Sequence, residues 1–367
     1  MRTVDLRSPA GACHLLVGLV VTVTACHLSA CSEVKTGASS SGRGVKGQTS
    51  SQITETHLRN PRPLTSTGVN RQACFNAEEQ QIIWLAAEND LHRFRLHIMQ
   101  SDGRNPSPLT RPGFHCQGFD LNPRTGDVIC SALAESPPQQ NQAEVTAPSP
   151  TRVLNWLFDP ASDLFVLQIP PLATKTGADT LAAAMSARWA HHQEYAGEPA
   201  VSWDGNRVLY ITYSSASGAL YVSDHDGESP ERLLQWPGYL GGARFSPDGK
   251  QIVFHAVPRN GNPGLALYLC NHDGSDVRAL TDTGHNDFAP AWHPSQEFII
   301  FSSDRDEGDF ELNTIRTDGS RRERVTFSPG LDAFPAFSRS GRQILWTSQR
   351  LTRQPWQTNI WRAVWIP

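Results

Sequence analysis

Phe245-Ser-Pro-Asp-Gly-Lys-Gln-Ile-Val-Phe254 reads as the apolar end of one strand, a tight turn, and the apolar start of another. The same phrase recurs as Val201-Ser-Trp-Asp-Gly-Asn-Arg-Val-Leu-Tyr210, Trp292-His-Pro-Ser-Gln-Glu-Phe-Ile-Ile-Phe301 and Phe337-Ser-Arg-Ser-Gly-Arg-Gln-Ile-Leu-Trp346. Its leading residues fall at 201, 245, 292 and 337, spacings of 44, 47 and 45. Short strands repeating with a period near 45 predict a β-propeller, one four-stranded blade per repeat.

A second turn recurs inside each repeat. Asp102-Gly103, Asp226-Gly227, Asp273-Gly274 and Asp318-Gly319 each precede a short outer strand, and Asp-Gly supplies the positive φ of a tight hairpin. The first blade runs from about Asn70 to Thr110, and the sixth begins at Leu331 and stops after Trp365, one strand short. His57-Leu-Arg-Asn-Pro-Arg-Pro-Leu64-Thr65 matches Ser275-Asp-Val-Arg-Ala-Leu280-Thr281, so an N-terminal strand should complete the last blade and close a six-bladed, all-β ring. The second blade is irregular, with an insertion over about 131–195. There Glu135 to Pro150 reads as a loop, Leu164 to Gln168 as a third strand, and Asp179 to His192 as a short helix with Leu181, Met185 and Trp189 on one face. His191 and His192 diverge on such a helix and do not chelate one ion.

Residues 1–30 read as a secretory signal: Arg2 and Arg7 precede an apolar run, Ala12 to Ala25, too short to span a bilayer. Leu28-Ser-Ala-Cys31 resembles the lipobox of bacterial lipoproteins, which implies cleavage before Cys31 and acylation of its sulfur; Val23-Thr-Ala-Cys26 fits more loosely. Residues 31–55 are a Gly/Ser/Thr-rich tether. Gly42-Arg-Gly44-Val-Lys-Gly47 satisfies the GxGxxG pattern inside it, but without a preceding strand it carries no dinucleotide-binding meaning. The propeller then occupies 56–367. A formal net charge of −4 offers no basic face, so nucleic acid is not an expected partner. Of the four cysteines in the body, Cys116 and Cys130 flank one turn and could face each other across a hairpin.

The turn at 245–250, the Ser303-Asp-Arg-Asp run and the Asp-Gly-Ser turns at 273 and 318 resemble the WD40-like (PD40) repeats of the TolB propeller family. The resemblance is strongest over 236–346. It implies a periplasmic scaffold that binds partner proteins at the mouth of the channel. TolB carries an α/β domain ahead of its propeller, where this chain has a lipobox and a tether, so the reading is TolB-like and not TolB. The same propeller also occurs in polysaccharide lyases and beside peptidase domains, and fold alone does not assign function.

No GxSxG, HExxH or P-loop occurs in the mature chain. Aligning the repeats places Asn70, Cys116, Ala196, Leu240, Asp287 and Asp332 at one level of the channel wall. Asp287 and Asp332, with His285 nearby, are the first contact candidates, followed by Tyr239 and Arg71. The two carboxylates could cap their own blades, grip a basic peptide, or form a cation site with histidine. Trp84, Trp292 and Trp346 are expected in the core, and Arg305 is expected to tie neighbouring strands. The expectation is a non-catalytic, monomeric, lipid-anchored envelope protein without a cofactor, binding a protein or peptide at the mouth formed by the loops that enter the inner strands. Ser32, where an Asp would retain the protein at the inner membrane, favours the outer membrane. The alternative is a polysaccharide-binding protein or lyase using the Asp/His group as a cation site.

Overall fold

The computed structural model describes residues 55–87, 93–133, 162–169, 184–190, 195–214, 217–306 and 309–367. The signal segment, Cys26, Cys31, the tether through 54, residues 134–161 of the insertion and His191-His192 lie outside them.

Twenty-four strands among the described residues form six four-stranded antiparallel sheets, each packed on the next round a ring. Six innermost strands wall a central channel: Asn70–Phe75 (β2), Cys116–Leu121 (β6), Tyr195–Val201 (β10), Leu240–Phe245 (β14), Asp287–Trp292 (β18) and Asp332–Phe337 (β22). The repeated turn at the end of each explains its own composition. In blade four, Ser246 Oγ donates to Asp248 Oδ1 at 2.7 Å and accepts from the Gln251 amide at 2.9 Å, while Asp248 Oδ1 accepts from the Lys250 amide at 3.1 Å. These donors, Ser246 foremost, hold the Asp248 carboxyl below its usual range. Gly249 takes a φ of 69°. The outer Asp-Gly turn is stricter still: a Cβ on Gly274 (φ 81°) would lie 2.4 Å from the Leu233 carbonyl oxygen of the neighbouring blade.

Every inner strand is kinked. Each pairs with its neighbour through a register slip near its third residue, a β-bulge. Five residues at these slips sit in the left-handed region: Gln72 (47°), Glu198 (52°), Gly242 (59°), Ala289 (50°) and Phe334 (55°). The bulge leaves an amide without a ladder partner, and the preceding blade supplies one. Gln72 N donates to Thr347 Oγ1 at 3.2 Å, Phe334 N to Ser302 Oγ at 3.1 Å, and Gly242 N to Glu198 Oε2 at 2.5 Å.

The tryptophans expected in the core are there: Trp84, Trp292 and Trp346 are buried. Trp84 Nε1 donates to Asn70 and Trp346 Nε1 to Asp332, so both indole N–H groups are satisfied inside. Cys116, Cys130 and Cys270 are buried, and these thiols and that of Cys74 are free. Cys116 and Cys130 do lie together across their hairpin; burial first, then the Cys116 sulfur, push the Cys130 thiol up.

The ring closes as the sequence predicts. Leu58–Pro63 (β1) pairs antiparallel with Asn359–Trp365 (β24), completing the sheet that holds β22 and Gln343–Ser348 (β23). His57 stacks on Trp365 with ring centroids 5.0 Å apart, and its carbonyl accepts from Ile366 N at 2.9 Å. One expectation is overturned. Ala184–Ala190 is the fourth strand of blade two (β9), paired antiparallel with Ser162–Gln168 (β8), where a helix over 179–192 was expected. Met-Ser-Ala-Arg-Trp fits a period of two about as well as 3.6, and the edge of β8 offers backbone partners that decide the matter.

Asp332 opens β22 and is fully buried. Its Oδ2 accepts from Arg350 Nε at 3.1 Å and Nη2 at 2.7 Å. Arg350 also grips Glu55, Nη1 to Oε2 at 2.8 Å, so the carboxylate of the last blade and the incoming N-terminal segment share one guanidinium. Close by, Glu311 is 1% exposed, accepts from Arg324 Nη2 at 2.7 Å and from Thr326 Oγ1, and has its carboxyl raised from 4.5 to about 7. Burial is the main cause; Asp332 adds to it, while Thr326 and Arg324 oppose it.

Two measurements check this closing seam. Arg350→Met leaves Asp332 buried without its cation, and chemical unfolding should show a loss of about 3–5 kcal/mol; unchanged stability would show that the clamp does not hold the ring shut. A carboxyl raised in the folded state binds its proton more tightly there than in the unfolded chain, so its contribution is lost as pH rises from 4.5 towards about 7. Glu311→Gln should therefore gain stability relative to the parent between pH 5 and pH 7.5, and a pH-independent difference would refute the assignment.

Candidate binding site in the channel

The channel has two unlike halves. Call the loop face the side on which the chain enters the inner strands, and the turn face the side on which those strands end in the Ser-containing turns. Towards the loop face the channel is filled by a polar plug of Arg71, Tyr195, Glu198, Tyr239 and His255. Arg71 is buried, lies 4.0 Å over the Phe94 ring, and donates from Nη2 to the Gln117 carbonyl at 3.0 Å; burial brings it down to about 10. Tyr239 Oη donates to Glu198 Oε1 at 3.2 Å and lies 3.2 Å from His255 Nε2. Burial, helped by the Arg244 charge, brings His255 down to about 3, so the imidazole is neutral at physiological pH. Burial also raises Glu198, against the Gly242 amide, Arg244, Tyr239 and Arg71.

Two glycines make the plug possible. A Cβ on Gly197 would meet the Tyr195 hydroxyl at 2.2 Å, and one on Gly241 would meet the Tyr239 hydroxyl at 2.4 Å. Each phenol thus lies across the strand two residues downstream of its own backbone. The signal was present in the sequence as a repeated Tyr-x-Gly at 195–197 and 239–241.

Beyond the plug, towards the turn face, a cavity of about 270 Å³ occupies the axis. Its walls are largely apolar, with Leu121, Val201, Ala289 and Phe334 half-buried along them, and its charges are Asp120, Glu198, Arg244 and Arg339. Asp120 is raised by burial, against Arg244 and the Val201 and Leu121 amides. Its two oxygens accept from those amides at 2.9 and 2.8 Å. Asp120 and Arg244 occupy the position just before the marker residue in their repeats, where Ala200, Ala291 and Ala336 stand in others.

The mouth of this cavity is spanned. Arg339 of blade six stands 5.5 Å over the Trp203 ring of blade three and donates from Nη2 to the Trp203 carbonyl at 3.1 Å. Blades three and six are opposite one another in a ring of six, so this contact crosses the channel axis. The repeats mark both residues: the position is Pro in Phe245-Ser-Pro247 and Trp292-His-Pro294, and departs to Trp203 and Arg339.

The residues singled out from sequence divide accordingly. Tyr239 and Arg71 converge on Glu198 in the plug. Asp287 and Asp332 are fully buried and turned into their own blades; Arg305 Nη2 donates to Asp287 Oδ2 at 2.7 Å, as Arg350 does to Asp332. Both arginines stand eighteen residues after their aspartates, and Arg305 ties strands as expected. His285 is half-exposed, with Nδ1 3.9 Å from Asp304. Among the described residues no three His, Cys, Asp or Glu side chains converge as metal ligands, so the Asp/His group does not assemble into the cation site considered above.

Residues 189–360 match the family model of the TolB beta propeller domain. A TolB homolog of Chlorobium chlorochromatii is 32% identical over 146 residues, 40% of this chain and 32% of the relative. Dipeptidyl-peptidase 5 of Porphyromonas endodontalis is 30% identical over 144 residues, 38% of this chain and 20% of that protein. The chain therefore spans a third or less of these two relatives. A solved structure from Agrobacterium tumefaciens assigned to TolB superposes with a TM-score of 0.55 at 16% identity, covering 83% of this chain and 94% of that one, a likeness of fold. Repeats, closed ring and family match agree: the chain is a TolB-like six-bladed β-propeller, similar to TolB itself over only part of its length.

Proposed function

We propose that this chain is an exported envelope protein, held to the outer membrane by a lipid on Cys31, whose propeller binds a protein or peptide partner at the turn-face mouth of its channel. The observation that carries the reading is the apolar-walled, charged cavity on the axis under Arg339 and Trp203. Concave sites with apolar walls and a few convergent polar groups are where ligands bind, and aromatic and arginine side chains are those that dominate protein interfaces. The TolB likeness supports an interaction module. The signal-like run, the lipobox around Cys31 and the tether support export and anchoring. Relative to the sequence expectation, the mouth moves to the opposite face, because the loop-face end is filled by Arg71 and the two tyrosines.

The test is photo-crosslinking in living Gram-negative cells, with a photoreactive residue replacing Ala77 on the turn face or Leu351 on the loop face of the full chain. Ala77 borders the cavity and Leu351 is 85% exposed. A discrete adduct to one protein from position 77, absent from position 351, is expected; adducts from 351 alone would contradict the placement. Palmitate labelling of the same cells should be lost in Cys31→Ser, and label that persists would move the anchor to Cys26.

A further inference from the structure

Deepening that reading, and resting on it, we propose that the cavity recognises a carboxylate carried on an apolar body, such as the C-terminal residue of a peptide, with the anion on Arg244. Three observations converge. First, the carboxylates in reach are already served by the protein: Asp120 takes the Leu121 and Val201 amides, and Glu198 takes the Gly242 amide and the Tyr239 hydroxyl. Second, the Arg244 guanidinium lines the cavity, half-buried, and among the described residues its one hydrogen bond runs from Nη1 to the Ala243 carbonyl at 3.0 Å. A guanidinium has five N–H donors in a rigid fork suited to bidentate carboxylate recognition, so most of this fork is unused. Third, the surface around it is apolar, contributed by the half-buried Leu121, Val201, Ala289 and Phe334 from four different blades. An anion with a polar body would strand that surface, and an apolar body without an anion would leave the fork desolvated and unmet.

The geometry of approach agrees. A chain entering from the turn face passes beside the Arg339–Trp203 bridge and meets Arg244 before the plug stops it. A terminus, unlike a mid-chain segment, ends where the channel ends. The same chemistry is offered by a free apolar or aromatic acid, which needs no chain behind it.

The experiment measures binding to the purified full chain of three probes: a fluorescein-labelled tetrapeptide, Gly-Gly-Ala-Phe, with a free C-terminal carboxylate; the same peptide as its C-terminal amide; and 3-indolepropionate. The free-acid peptide should bind one-to-one, with the amide about ten- to a hundredfold weaker, the range of a charge-assisted hydrogen bond. Arg244→Gln should weaken the acid by a similar factor and leave the amide unchanged. Equal binding of acid and amide, or no saturable binding of either peptide or of indolepropionate, overturns the proposal without needing the variant to fold. Binding of indolepropionate alone assigns the carboxylate to a small acid and overturns the peptide terminus. If the in-cell adduct from position 77 persists while all three probes fail, carboxylate recognition falls and the partner-binding reading stands.

Discussion

Closure of the ring is the constraint on which everything else in this structure depends. An open stack of six sheets would expose two strand edges and leave the inner bulge of the first blade without Thr347 to receive the Gln72 amide. The chain prevents this by giving its last blade a strand from the N-terminal side, β1, and by fixing that strand from both ends. Before its first residue, Trp365 and Ile366 hold His57 and Arg350 joins Glu55 to Asp332; past its last, Leu64 N donates to the Ile360 carbonyl at 2.7 Å. The clamp is ionic and almost dry, so its net contribution comes from satisfying charges that burial would otherwise penalise. The price of that arrangement is a nearby carboxyl, Glu311, that burial keeps partly protonated near neutrality.

With the ring closed, the bulges acquire their meaning. The bulges turn residues of the inner strands towards the axis, and four of the five left-handed residues there carry a side chain. Recurrence at one register identifies the conformation as architecture, because the bulged amides of Gln72, Phe334 and Gly242 find partners across the blade boundary in Thr347, Ser302 and Glu198. What differs between blades is the side chain presented at that level, from Gln72 and Glu198 to Ala289 and Phe334. The repeated backbone makes the channel; the unrepeated side chains make its chemistry.

That distinction explains how much could be read from the sequence. Blade number, the Asp-Gly turns and the closing strand were legible because each repeats, and repetition separates a structural requirement from chance. The fourth strand of blade two was missed because Met185 to Trp189 fits two periods and its pairing partner, β8, is not visible in local sequence. Asp287 and Asp332 stood out for the same reason that they are structural: they recur, each with its arginine eighteen residues on. The residues that shape the cavity were legible only as departures from the repeat. Trp203 and Arg339 replace a proline, Asp120 and Arg244 replace an alanine, and Tyr195 and Tyr239 precede a glycine that their own rings require. Glu198 gave no comparable signal, since its importance arises from Gly242 and Tyr239, which belong to the next blade.

The central claim is that the channel opens to the turn face beneath Arg339 and is sealed at the loop face. Cys74 reports on it directly, because its half-buried thiol lines the cavity while Cys116, Cys130 and Cys270 are buried in the blades. Burial pushes the Cys74 thiol up, which slows its chemistry in any variant, so the informative quantity is a ratio of rates. The measurement is the rate at which a small methanethiosulfonate reagent modifies Cys74 in the folded full chain, mapped by mass spectrometry, with and without Arg339→Ala. The account predicts that Cys74 reacts ahead of the other three and that removing Arg339 accelerates it several-fold. A Cys74 as protected as Cys130, and indifferent to Arg339, would mean that the cavity does not communicate with that face.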